Sequence, residues 1–220
     1  SLRNPAAFCN VVGFRSTPGR VPIWPKQLSS DQLGVAGPMT RTVEDLRLLL
    51  SVIAGPDPRV PISIPEPGSV FGRSLAADFD GIRLAWSPDL GHYEVENEII
   101  TLLEAQLAVF ESLGCTVDRA GPDLADADEI FQTLRAWIFA TKFEDDYHHH
   151  PGLIKDTVIW NIEKGLELTI DDITAAELKR AALIERVSSF FQDYDYLICP
   201  TTQVLPFPIE QEWVDSINGK

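Results

Sequence analysis

The chain has 220 residues and a mass of 24.4 kDa, with 45% hydrophobic and 23% charged residues, a profile of ordinary soluble globular proteins large enough to bury a substantial core. Its 33 acidic and 18 basic residues give a net charge of -15 and an isoelectric point of about 4.5, which disfavours binding a phosphate backbone through a basic surface. Three scattered cysteines (Cys9, Cys115, Cys199) make neither a disulfide framework nor a zinc site and suit a reducing, cytoplasmic setting, and no apolar run reaches the roughly 18 residues of a membrane span.

In chain order, residues 1–4 read as a loop and residues 5–10 as a short helix with Pro5 in its first turn, where a missing N–H costs nothing. Residues 11–14 suggest a buried strand, Ser16-Thr17-Pro18-Gly19 a turn, and the stretch up to Leu33 an irregular loop. Thr42-Val43-Glu44-Asp45 resembles a capping box that opens a helix with the apolar stripe Leu46, Leu49, Leu50 and Ile53, stopped by Gly55-Pro56. Residues 56–72 are proline-rich and form a long connection. Residues 81–86 read as a buried strand, 95–113 as an amphipathic helix ending at Gly114, and 115–118 as a second strand. That order predicts a βαβ unit with a parallel pair. Helices are predicted over 125–147 and 174–191, the first rich in aromatics, and a strand over 196–200. Residues 201–220 read as loop, with Trp213 and Val214 as apolar anchors. Without internal repeats, the pattern predicts one α/β domain over 1–220.

A serine hydroxyl is a weak nucleophile that needs a base and oriented donors, so a loop serine alone carries no chemistry. Context singles out Ser1. It opens Ser1-Leu2-Arg3-Asn4-Pro5-Ala6-Ala7-Phe8-Cys9. Val11-Val12-Gly13-Phe14-Arg15 and Pro18-Gly19-Arg20-Val21 follow, and then Gly37-Pro38-Met39-Thr40-Arg41-Thr42-Val43 with Asp45. In this order the blocks closely resemble the amidase signature family. Asp80-Gly81-Ile82-Arg83-Leu84, Leu113-Gly114-Cys115-Thr116-Val117 and residues 194–202 are similar to later parts of the same family, so the resemblance covers most of the chain and is most specific over the first 45 residues.

The resemblance implies a mixed β-sheet covered by helices, the amidase-signature fold, here incomplete at both ends. It also implies an amidase that hydrolyses a carboxylic amide to an acid and ammonia or an amine. Ser1 takes the position of the nucleophile that forms the acyl-enzyme. A second serine in a cis peptide bridges it to a lysine base, and backbone N–H groups before the nucleophile form the oxyanion hole. A neutral lysine accepts a proton near pH 7 only where desolvation lowers its pKa. The bridging serine and the lysine are expected upstream of Ser1, and the isolated chain is expected to be inactive. No cofactor is implied. The expected partners are a small-molecule amide substrate, and either a second copy of the chain or the remaining parts of the fold.

Other residues carry two readings each. Arg3 is either a clamp for a substrate carboxylate or, as the family's retention of it across different substrates favours, a buried guanidinium satisfying loop carbonyls. Phe131 and Trp137, with Phe139, either line a substrate pocket or belong to the core. Cys9 reads as a packed helix residue, and Ile154-Lys155-Asp156 as an exposed segment lying on the wrong side of Ser1 to supply the base. His148-His149-His150 sit about 100° apart on a helix, so they cannot converge on one ion and read as a solvated helix end. Asp171-Asp172 read as helix N-terminal decoration. Self-activation of Ser1 by its own α-amine is disfavoured, because a helix follows at once where that class of hydrolase has alternating strands. The alternatives to an amidase are a catalytically silent scaffold and the glutaminase component of an amidotransferase.

Overall fold

A computed structural model of the chain describes residues 2–29 and 31–220. Helix α1 (Arg3–Phe8) leads into a two-stranded antiparallel ribbon of β1 (Val12–Gly13) and β2 (Met39–Thr40), followed by helix α2 (Val43–Ile53). A three-stranded parallel sheet is built from β3 (Arg83–Trp86), β4 (Thr116–Arg119) and β5 (Tyr196–Ile198) in the order β4-β3-β5. Helix α3 (Asn97–Ser112) crosses from β3 to β4. Helices α4 (Ala127–His149), α5 (Asp156–Leu166) and α6 (Ile170–Phe190) separate β4 from β5.

The central strand explains the arrangement. Leu84, Ala85 and Trp86 are consecutive and all buried, a pattern that requires cover on both faces of the sheet. Thr116 pairs with Arg83 and Tyr196 with Leu84, so β3 is hydrogen-bonded along both edges. The predicted βαβ unit is present. Trp86 Nε1 donates to Glu104 Oε1 on α3 at 3.3 Å, and Arg119 on β4 pairs with the same carboxylate, so one acid ties the crossover helix to two strands.

Helix starts follow their caps. At α2, Thr42 Oγ1 accepts from the Asp45 N–H at 3.1 Å. At α6 the capping box is complete: Thr169 and Asp172 each bond the other's backbone N–H. The helix therefore begins four residues before the predicted start, and Asp172 is part of its cap. On α2, Leu46 and Leu50 are buried while Leu49 is 38% exposed, so the inward stripe is narrower than expected.

Helix α5 is the element the sequence pattern hid. Val158, Ile159 and Trp160 are strand-favouring, and Gly165 interrupts a helical reading. The helix is set by tertiary packing: Ile162 is fully buried, and Gly165 lies where a Cβ would overlap the Ala136 carbonyl and the Ala140 methyl of α4. Lys155 and Asp156, just before and at the start of α5, are exposed as expected. The C-terminal stretch is held differently from the prediction. Trp213 is 63% exposed, and the anchors are polar. Gln203 exchanges bonds with Glu94 and Glu96, Leu205 N–H donates to Glu96, and Asn218 bonds Glu94, Val95 and Asn97 at the start of α3.

Replacing Gly165 with alanine is expected to separate α4 from α5 and lower unfolding stability by about 1–3 kcal/mol, read as a fall in the urea midpoint at unchanged slope. An unshifted midpoint would show that the two helices are not in this close contact.

Candidate active site

Ser1 lies outside the described residues; the segment from Leu2 to Val11 folds around Ala6. Leu2 O accepts from Ala6 N–H at 3.1 Å, and Ala6 O accepts from Val11 N–H at 3.0 Å, folding α1 back against β1. Ala6 is the buried residue of this helix. A Cβ on Gly13 would stand 2.5 Å from the Ala6 Cβ and 2.9 Å from Leu2 O, so only glycine lets β1 pass this close. Gly13 pairs with Met39 and Val12 with Thr40, and Phe14 N–H donates to Pro38 O. The blocks around Ala6 and Pro38, far apart in sequence, are thus one structural unit behind the residue next to Ser1. Nearby, the fully buried Ser16 donates its hydroxyl to Ala36 O at 2.9 Å.

A cleft of about 640 Å³ opens beside α1. Its other walls come from the segments just beyond the three parallel strands: Pro88 to Leu90 after β3, Leu124 and Asp128 after β4, and Pro200 to Val204 after β5. This is the carboxyl edge of the sheet, where side chains from neighbouring strand ends converge and α/β proteins place their ligand sites. Phe8 and Phe207 meet edge-to-face at 5.2 Å across one side, and Phe131 stands on another.

Polar groups line this cleft as well, Arg3, Tyr93 and Asp128 among them. Tyr93 donates its hydroxyl to Asp128 Oδ1 at 2.6 Å, and His92 Nε2 lies 3.6 Å from Asp128 Oδ2. The hydrogen bond to Asp128, then partial burial and the carboxylate's charge, push the Tyr93 pKa up from 10.0 to about 12, with Arg3 acting in the opposite sense. Arg3 likewise opposes the upward push that burial exerts on the Cys199 thiol. Arg3 is thus exposed on the cleft wall with its charge felt by both groups, and it makes no bond to loop carbonyls among the described residues. The buried reading of Arg3 is corrected: α1 turns Ala6 inward and leaves Arg3 facing out.

The aromatic helix divides its residues between two tasks. Six positions separate Phe131 from Trp137, about 120° around a helix, so they face different ways. Phe131 is 44% exposed and borders the cleft. Trp137 packs on the core of Ile130, Leu134 and Ala176, with Leu33 and Leu183. Helix α4 is positioned from α6. Arg186 reaches Ala125 O at 2.5 Å and pairs with Asp123 and Asp126, and Lys179 pairs with Glu129. Cys9 is exposed, not packed, and the three cysteines are unpaired. His148, His149 and His150 are exposed at the end of α4, with His149 beside Asp145. Among the described residues no group of three or more His, Cys, Asp or Glu could hold a metal, and no helix is long and apolar enough to cross a membrane.

Residues 1–217 match the family described as Amidase. The chain belongs to the amidase signature family. It is 32% identical over 224 aligned residues to an acylamidase of Rhodococcus erythropolis, covering 99% of this chain and 47% of that protein. It is 39% identical over 116 residues to a glutamyl-tRNA(Gln) amidotransferase component of Geobacillus stearothermophilus, covering 53% of this chain and 24% of that protein. The fold superposes on a bacterial aryl acylamidase of the amidase signature family with a TM-score of 0.86 and 25% identity, over all of this chain and 48% of the other. The amidase-signature chain therefore spans about half the length of the acylamidase and aryl acylamidase it matches.

The Tyr93–Asp128 pair was not legible in the sequence; its members lie 35 positions apart, on segments that follow different strands. Replacing Asp128 with asparagine is expected to bring the Tyr93 ionisation down from about 12 towards 10.0. Because the folded-state value is the raised one, the pair's stabilisation is complete below the ordinary tyrosine range and is lost as pH climbs to about 12. Phenolate absorbance, titrated in both proteins with a Tyr93→Phe control, reads the shift. Superimposable curves would refute the bond.

Proposed function

We propose that the protein hydrolyses carboxylic amides through an acyl-ester intermediate on Ser1. The observation that carries this reading is the cleft: α1, which begins two residues after Ser1, forms the wall that faces the carboxyl ends of all three parallel strands. On this reading a substrate carbonyl bound there is attacked by the Ser1 hydroxyl. Attack forms the C–O bond, and the hydroxyl proton passes through the bridging serine to the lysine, both expected upstream of Ser1. The tetrahedral intermediate collapses, the C–N bond breaks, and the amine leaves with that proton. Water then hydrolyses the ester, releasing the acid and restoring Ser1.

Cleft composition supports an apolar or aryl group on the substrate. Phe8, Phe131 and Phe207 offer ring faces, while Arg3 and the Tyr93–Asp128 pair offer polar contacts at one side. The similarity to an acylamidase over nearly the whole chain fits this chemistry. Residues 1–220 act, on this reading, as part of one amidase-signature domain, in a reducing cytoplasmic setting that suits three unpaired cysteines. A second reading, a glutaminase serving an amidotransferase, draws on the 39% identity to the Geobacillus stearothermophilus protein, but that likeness covers only 53% of the chain.

Ser1→Ala in the protein is expected to lower amide turnover by about a thousandfold or more and to abolish labelling by a fluorophosphonate probe, with the circular dichroism spectrum unchanged. Near-normal turnover in that variant would remove Ser1 as nucleophile. Glutamine hydrolysis exceeding that of aryl or alkyl amides would favour the amidotransferase reading.

A further inference from the structure

A second groove, of about 720 Å³, lies between α4 and residues 23–34. It shares Phe131 with the cleft described above. Its floor is one face of α4, where Phe131, Arg135, Ile138 and Lys142 recur at helical spacing, with Phe139 beside them. Ile23 and Leu28 close the opposite side.

The charges in this groove do not cancel locally. Arg135 is half-buried and lies over both Phe131 and Phe139, with 5.7 and 5.2 Å between its guanidinium carbon and the ring centres. Lys142 lies 4.9 Å from the Phe143 ring centre. Among the described residues neither cation has an ion pair or a side-chain hydrogen bond, although acids outnumber bases 33 to 18. The third cation, Lys26, is satisfied by the Asp31 carboxylate at 3.2 Å and by the Asp31 and Gly34 carbonyls. Asp31 is thereby engaged, and Asp146 is the remaining acid on the wall. A half-buried guanidinium within about 6 Å of two ring centres has lost part of its water and still carries unused donors. An anion that brings its own apolar surface satisfies both needs at once.

We propose that this groove binds an amphipathic carboxylate, an aryl- or alkyl-carboxylic acid. The carboxylate bonds to Arg135 and Lys142, and the apolar part lies along Phe139, Phe143 and Ile138. A carboxylate matches the planar fork of Arg135 in two parallel bonds. The site does not use Ser1, so its occupancy is separable from turnover.

Calorimetric titration of the protein with phenylbutyrate, and with phenylbutanol as the uncharged counterpart, tests this. The acid is expected to bind at least about tenfold more tightly than the alcohol, a preference removed in Arg135→Gln/Lys142→Gln and retained in Ser1→Ala. The single change Lys142→Gln, at an exposed position that cannot compromise folding, is expected to weaken acid binding about threefold and leave the alcohol unchanged. Equal affinity for acid and alcohol overturns the proposal. So does a preference that survives the double change, or one that disappears in Arg3→Gln instead, which would put the acid in the active-site cleft.

Discussion

Everything in this structure is arranged around the need to enclose β3. Three consecutive side chains, Leu84, Ala85 and Trp86, are buried on alternating faces, so the strand demands cover above and below and a partner on each edge. A parallel partner demands a long crossover, and α3 supplies one. The second partner, β5, arrives only after three helices have been packed. Because all three strands run the same way, their exits gather at a single edge, and the residues after them converge there. The cleft is the geometric result of that shared direction. Phe131 and Asp128 reach it because Arg186 and Lys179 of α6 fix where α4 begins.

The ribbon of β1 and β2 does for the start of the chain what β3 does for the sheet. Its two rungs are short, yet they bring Pro38 and Met39 behind α1 and fix the direction in which the chain leaves Leu2. The closeness of Gly13 to Ala6 leaves no room for adjustment. Sequence blocks that look like separate signatures are one contact viewed from its two ends.

Much of the fold was legible because local signals and tertiary demands agreed. The run from Ile82 to Trp86, the amphipathic stretch before Gly114 and the cap at Thr42 each predict what is found, whereas the box that Thr169 forms with Asp172 reads in the sequence only as acidic decoration of a later helix start. Helix α5 was not legible, since its β-branched residues and Gly165 argue against a helix until α4 is present to receive them. The site was partly legible. Motif order singles out the region beside Arg3, but no local pattern says that Arg3 faces solvent or that Tyr93 finds Asp128. The α4 face bearing Phe131, Arg135 and Lys142 is a periodicity visible in the sequence, and three aromatics nearby obscured it.

The segment after β5 gives the cleft a wall of unusual construction. Phe207, Val214 and Ile217 present apolar surface to the cavity, yet what ties their strap to the body is a set of exposed polar bonds to Glu94, Glu96 and Asn97. The Glu94 carboxyl is held below its ordinary range by Asn218 and then by Lys220, so this fastening adds charge and amide contacts to the packing of Phe207 on Phe8. Such a wall can be re-cut independently of the core. Substitutions along it are expected to reshape what the cavity accepts while the sheet and its helices keep their packing.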